Sequence, residues 1–171
     1  TRLQVRDFVQ NEIIPLESNP ENFDEHENMK ESVVARVRAK SKAQGLWGFQ
    51  LPRSIGGREL GVVGMAALYE EAARSPFGPV MFNCAPPDDG NMIVLNKILK
   101  TEEQRQRWLM PIVNGDVRSA FAMTEPDGGC GSDPSLTYTK AEKQGDKWIV
   151  TGRKWFITGA EGAQSFILIA R

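Results

Sequence analysis

Histidine is nearly absent: His26 is the only one in 171 residues. Cysteine is scarce too, with only Cys84 and Cys130. Two cysteines and one histidine cannot by themselves supply the four ligands of a structural zinc site, and no metal is expected. A disulfide has no support from so few, widely spaced thiols, so free, reduced cysteines of an intracellular protein are expected. Excess charge of either sign is missing: 21 basic residues face 22 acidic ones, a net charge of −1. Nucleic-acid partners are therefore not expected, because phosphate neutralisation rewards a strong basic surplus. No apolar run approaches the roughly 20 residues of a membrane span, and no signal-like leader precedes the first helical pattern. Thr1 opens directly into that pattern, so the true start is expected to lie upstream.

The chain does hold enough apolar material, 40% of its residues, to build a core. Up to Gly115 the spacing is helical. Val5, Phe8, Val9 and Ile13 share one face, and Pro15 is expected to stop that helix. Met29, Val33 and Val37 mark a second helix, with Gly45 as its stop. Val62, Ala66, Leu68 and Ala72 mark a third, and Met92, Ile93, Ile98 and Leu99 a fourth. Thr101 followed by Glu102, Glu103 and Gln104 reads as a capping box, in which the threonine hydroxyl and the glutamine side chain each satisfy a free backbone N–H. The helix it opens carries Trp108, Leu109 and Ile112 and ends near Asn114-Gly115.

Beyond Gly115 the pattern turns strand-like. Strands are expected at 118–123, 137–142, 147–151, 154–158 and 166–170, the last of them buried. Gln144-Gly145-Asp146 marks a hairpin turn. The final strand reaches Arg171 without a turn, and the sheet is expected to be cut in mid-domain.

Two clusters invite a ligand. Met123-Thr124-Glu125-Pro126 leads into Asp127-Gly128-Gly129-Cys130-Gly131-Ser132-Asp133, where three glycines in four positions let backbone N–H groups approach a phosphate or ring. The same residue types also make ordinary surface turns. The loop has no Gly-Lys-Ser/Thr ending and opens no helix, so it is not a P-loop. In Lys154-Trp155-Phe156-Ile157-Thr158-Gly159-Ala160 the aromatics suit either a planar cofactor or a strand with one face in the core. His26 and the acidic stretch 21–31 read as solvated surface, and Cys130 as a passive thiol.

Taken together, Met123-Thr124-Glu125-Pro126, Gly131-Ser132-Asp133 and Trp155-Phe156-Ile157-Thr158 resemble the signature of the acyl-CoA dehydrogenases. So do Gly45-Leu46-Trp47-Gly48-Phe49-Gln50-Leu51-Pro52, Ile55-Gly56-Gly57 and the helix from Thr101 to Gly115. Asn83-Cys84-Ala85-Pro86 and Asp89-Gly90-Asn91-Met92 resemble the subgroup acting on longer or unusual acyl-CoAs. The family often has tryptophan where Phe156 stands, whereas here it is one position earlier, at Trp155, and the loop from Pro126 to Gly131 is expanded.

The resemblance implies an α+β multidomain fold. An all-α helical N-terminal domain over residues 1–117 is followed by part of an antiparallel, β-barrel-like middle domain over 118–171, with a C-terminal helical domain outside this chain. It implies FAD as cofactor and dehydrogenation of an acyl-CoA thioester to a trans-2-enoyl-CoA, the catalytic base coming from beyond residue 171. Residues 1 to 171 alone are therefore expected to be inactive. Phe121, Met123 and Thr124 match the strand that edges the flavin. Gly131 and Ser132 match the turn near the cofactor phosphates, with Ser132 also near the CoA arm. Phe156, Ile157 and Thr158 match the segment over one flavin face. The partners implied are an acyl-CoA, an electron-transferring flavoprotein, and further copies of the chain in a homodimer or homotetramer. The compartment implied is the bacterial cytoplasm or, in a eukaryote, the mitochondrion or peroxisome. Alternatives of the same chemical class are an acyl-CoA oxidase or related flavin oxidase. A non-catalytic interaction module is the alternative of a different class.

Overall fold

A computed structural model describes all residues from Thr1 to Arg171. They form two compact units, Thr1–Asp89 and Gly90–Arg171.

The first unit is helical. Helix α1 (Arg2–Phe8) passes through a π-helical turn (Val9–Ile13) into α2 (Ile14–Glu17). Pro15 therefore does not end the helix as its position predicts. The Ile14 N–H reaches back five residues to the Val9 carbonyl, and this widened turn makes room where a proline ring would otherwise meet the preceding carbonyl. Helix α3 (Glu31–Ala43), α4 (Val62–Ala72) and the short α5 (Gly78–Met81) complete the unit.

Their apolar faces meet in one cluster. Val5, Phe8, Val9, Ile13, Val37, Leu46, Phe49, Leu68, Ala72, Met81 and Phe82 are buried in it. Phe82 stands 5.4 Å from Phe8 and 5.9 Å from Phe49, ring centre to ring centre. These tilted contacts are the geometry in which aromatic quadrupoles attract. On α4 the core face is set by Leu68 and Ala72, while Val62 at its first turn is exposed. Glu71 is buried on the same helix and is the acceptor for Arg2 Nε at 2.8 Å and Arg6 Nε at 2.9 Å. The Arg6 hydrogen bond draws its carboxyl down; burial opposes this and Arg2 adds to it, leaving the carboxyl at about 2.

Helix α6 (Asp88–Ile98) spans the division between the units. Next come α7 (Glu102–Gln104), a second π-helical turn (Arg105–Leu109) and α8 (Met110–Asn114). The capping box at Thr101 forms as its sequence predicts: Thr101 Oγ1 accepts from the Gln104 N–H at 3.2 Å, and Gln104 Oε1 accepts from the Thr101 N–H at 3.2 Å. The second π turn also sits just before a proline, Pro111, and Gly115 ends α8 at φ +75°.

Four strands follow rather than five: β1 (Ser119–Ala122), β2 (Lys140–Gln144), β3 (Lys147–Thr151) and β4 (Ser165–Leu168). The β2–β3 hairpin is antiparallel and turns at Gly145-Asp146. The expectation of uniformly antiparallel pairing is corrected by β1 and β4, which run parallel with Ser119 opposite Ser165 and Ala122 opposite Leu168. The residues make two separate two-stranded sheets. A parallel pair requires a long crossover, and residues 123–164, hairpin included, supply it. The segment 154–158 is not a strand either: it pairs with no ladder, and Phe156 sits at φ +50°, a left-handed conformation incompatible with a continuing strand. The last strand is not buried as expected, since Phe166 is 52% exposed. Residues buried in this unit include Leu109, Ile112, Val113, Ala120, Ala122 and Cys130. Cys84 and Cys130 are both free thiols.

Candidate functional site

Strand β1 delivers Phe121 half-buried at its third position and then releases Met123 and Thr124, also half-buried. Glu125 follows and turns inward. The chain reverses at Asp127 and Gly128, both at positive φ. The Glu125 N–H bonds to the Cys130 carbonyl at 2.7 Å and closes the loop. Gly131 and Ser132 lie exposed beyond that closure. Asp133 Oδ1 accepts from the Ser135 N–H at 2.9 Å and caps the short turn Pro134–Leu136. That hydrogen bonding holds its carboxyl below the usual carboxylate range.

Glu125 is the centre of the arrangement. Its carboxylate accepts from the backbone N–H groups of Tyr138 and Thr139, from the Thr139 hydroxyl and from Lys154 Nζ. The Thr139 N–H bond is 2.8 Å and the Lys154 bond is 2.8 Å. Burial pushes this carboxyl up. The hydrogen bonds of Lys154 and Thr139, with the two backbone N–H groups, outweigh it and hold the group well below the ordinary carboxylate range. Two glycines make the closeness possible. A Cβ on Gly129 would stand 2.8 Å from Glu125 Oε2, and one on Gly152 would stand 2.2 Å from Thr139 Oγ1.

Lys154 also donates to the Met123 carbonyl at 2.7 Å, and the Trp155 N–H donates to the Thr124 carbonyl at 3.1 Å. The two sequence clusters, separated by about thirty residues in the chain, are thereby stitched side by side. Past the stitch, the Trp155 and Phe156 rings lie with centres 4.6 Å apart, and Phe156 is 82% exposed. A bulky residue in the left-handed region with its ring in the open costs free energy on both counts. Ile157 is half-buried, Thr158 is exposed, and Gly159 starts a short turn at φ +75°. The hydroxyls of Thr124, Ser132 and Thr158 take no hydrogen bond from the chain and give none to it.

Of the residues read from the sequence, Met123 and Thr124 thus lie at the stitch with Phe156, Ile157 and Thr158 next along it. Phe121 is on the strand leading in. Gly131 and Ser132 stand past the Glu125–Cys130 closure, and no hydrogen bond joins them to 156–158. None of the eight lines the cleft of about 310 Å³ bounded by Glu125, Pro126, Asp127, Tyr138, Thr139, Gly152 and Arg153. The sequence reading missed Lys154 and Thr139 as supports of the site. The one signal for them was a pair of opposite charges, Glu125 and Lys154, each placed against apolar or aromatic neighbours where a charge needs a partner.

Comparison with known proteins identifies the family of both units. Residues 1–116 match the family model described as acyl-CoA dehydrogenase, N-terminal domain, and residues 120–171 match acyl-CoA dehydrogenase, middle domain. The human protein acyl-CoA dehydrogenase family member 11 is 34% identical over 173 residues, covering 98% of this chain and 22% of its own length. A provisionally assigned acyl-CoA dehydrogenase from Mycobacterium abscessus superposes with a TM-score of 0.78 at 36% identity, covering 92% of this chain and 41% of that one. An acyl-CoA dehydrogenase from Bacillus anthracis, crystallised with FAD, superposes with a TM-score of 0.68 at 27% identity, covering 99% of this chain and 28% of that one. The chain spans about a fifth of the length of curated relatives of the family member 11 type. No helix is long and apolar enough to cross a membrane.

Proposed function

The chain belongs to the acyl-CoA dehydrogenase family, and from that premise we propose that it supplies the helical N-terminal part and the flavin-edge part of an FAD-dependent acyl-CoA dehydrogenase. The supporting observation is the stitch of Trp155 N–H to Thr124 O at 3.1 Å. It brings together the strand exit and the aromatic segment while leaving the Thr124 and Thr158 hydroxyls without partners in the chain and the Phe156 ring, beside Trp155, largely exposed. Exposed rings beside free hydroxyls suit a planar, polar-edged group such as the isoalloxazine of FAD. When bound, FAD supplies a two-electron acceptor for the β-hydride of an acyl thioester.

In this reading Phe121, Met123 and Thr124 border the ring edge, and the Thr124 hydroxyl bonds to it. Phe156 and Ile157 cover a face and exclude water. Thr158 presents its hydroxyl near the hydride-accepting position. Gly131, whose missing Cβ leaves open space, lets backbone approach the cofactor's phosphates, and Ser132 adds a hydroxyl there and toward the CoA arm. The α-proton needs a general base. Glu125 is unsuited to that task, because four donors hold it as a committed, weakly basic carboxylate. Asp133 is likewise engaged with Ser135. In this reading the base comes from a part of the protein outside these residues. The fold proposed for the whole middle domain is barrel-like, which suits a β3 strand exposed along its full length here. An acyl-CoA substrate and an electron-transferring flavoprotein as acceptor complete the proposal.

The test is an absorption spectrum and FAD titration of the whole protein carrying this chain. Flavin bands that copurify, or appear on adding FAD and survive gel filtration, are the expected result. A protein that stays colourless after reconstitution overturns the reading.

A further inference from the structure

The buried pair Glu125–Lys154 does something that a stabilising ion pair alone does not. Lys154 has two acceptors, and they lie on two consecutive sides of the same residue stretch: the Met123 carbonyl at 2.7 Å and Glu125 Oε1 at 2.8 Å. The residue between those acceptors is Thr124, and its carbonyl takes the N–H of the residue after Lys154. Three successive positions, 123 to 125, are thus gripped by two successive positions, 154 and 155. Glu125 in turn is anchored by Thr139 and Tyr138, so the grip is tied to the segment entering the β2–β3 hairpin. Both charged side chains are shielded, at 10% exposure for Lys154 and 2% for Glu125. Neither segment has a ladder of its own at these positions, since 123–125 and 154–158 are both irregular. Their relative placement therefore rests on this handful of bonds.

We propose that Glu125 and Lys154 are positioning residues: the pair fixes the strand exit Met123–Thr124 against the segment Phe156–Thr158, and FAD affinity depends on that placement. The inference rests on the flavin reading above. It goes beyond it by assigning the placement to two residues to which that reading gives no cofactor contact. Small displacements of supporting groups cost tight sites roughly tenfold to a hundredfold. Lys154→Met is close in length to lysine and removes the two bonds, so about a tenfold or greater loss of FAD affinity is expected. Lys154→Arg keeps a cationic donor and is expected to restore part of the loss. Phe82→Leu, in the helical unit, is the comparator: it lowers the thermal midpoint without touching the grip, and its FAD affinity is expected to match the parent.

The experiment is FAD titration by fluorescence quenching on the whole protein and these variants. Amide hydrogen exchange of residues 154–158 is followed in parallel without added FAD. The expected result is weakened FAD binding and faster Trp155 exchange in Lys154→Met, partial recovery in Lys154→Arg, and neither change in Phe82→Leu. Lys154→Met that binds FAD like the parent overturns the inference and leaves the flavin reading standing. A parent that binds no FAD overturns the flavin reading and takes this inference with it. Should Lys154→Met not fold, Thr139→Val decides. It removes one donor to Glu125 and is expected to weaken FAD binding about threefold or more; unchanged affinity there overturns the inference.

Discussion

Glu71 in the first unit and Glu125 in the second are both buried carboxylates surrounded by donors, yet the two are used differently. Glu71 in the helical unit is 1% exposed, and its arginine partners Arg2 and Arg6 remain 50% and 40% exposed. It joins α1 to α4, two helices that already meet through Val5, Phe8, Leu68 and Ala72. There the ion cluster reinforces an interface that apolar burial has made. Glu125 is 2% exposed and its partner Lys154 only 10%. Around it stand irregular segments whose large side chains face outward: Tyr138 at 55%, Trp155 at 44% and Phe156 at 82% exposure. Little apolar burial is available to hold those segments, so directional bonds to one carboxylate take over the task. A region that leaves its aromatics exposed must be held by something other than those aromatics.

The largest effect that sharpens this contrast belongs to the helical core. Phe82→Ala removes a ring packed on Phe8 and Phe49 and is expected to lower stability by about 3–5 kcal/mol. Urea unfolding followed by circular dichroism checks it; a loss under about 1 kcal/mol would mean that the aromatic cluster is not what holds the first unit.

The next concerns acid. The Glu71 carboxyl sits at about 2 against an ordinary 4.5, held down by Arg6, with burial opposing and Arg2 assisting. A depressed carboxyl stabilises the fold in full above its ordinary value and loses that contribution as pH falls toward its folded value. Stability should therefore decline between about pH 4.5 and pH 2. Glu71→Gln should flatten that part of the profile in thermal melts. An unchanged slope would show that the arginines do not stabilise the charged form.

Gly129→Ala probes the other carboxylate. The added methyl would stand 2.8 Å from Glu125 Oε2 and 2.9 Å from its Cβ, and overpacking of this kind costs about 1–3 kcal/mol. The expected signature is a lowered thermal midpoint with weakened FAD binding, whereas Phe82→Ala affects stability first. A Gly129→Ala protein with parental stability and affinity would erase the distinction between the two regions.

The smallest effect is local. Thr101→Ala removes one arm of the capping box and is expected to cost about 1 kcal/mol, measured by chemical unfolding, with no change in FAD affinity.

What the sequence discloses about this protein divides along the same lines. The capping box at Thr101 and Gln104, the stop at Gly115 and the Gly145-Asp146 hairpin are written within a few residues, and the structure has them where the sequence puts them. The parallel pairing of Ser119 with Ser165 is not local, and nothing in either strand announces the other. The segment 154–158 has the aromatic and β-branched composition of a strand. It is not one, because its first residues are held by single bonds to 123–125 and Phe156 takes a positive φ. Pro15 reads as a helix stop because its ring ordinarily clashes with the preceding turn, and the π turn at Val9–Ile13 absorbs that clash instead. For the site, the motifs marked the segments that the structure brings side by side at Thr124 and Trp155. The tie between Glu125 and Lys154 stayed hidden because its members are 29 residues apart and each, alone, reads as an ordinary charged residue.

The most direct test of the proposed chemistry is anaerobic mixing of the FAD-loaded whole protein with acyl-CoA thioesters of short, long and branched chains. The account predicts that at least one thioester bleaches the oxidised flavin band and yields the matching trans-2-enoyl-CoA. A flavin band that stays intact with every thioester, in a protein that holds FAD stably, would contradict it.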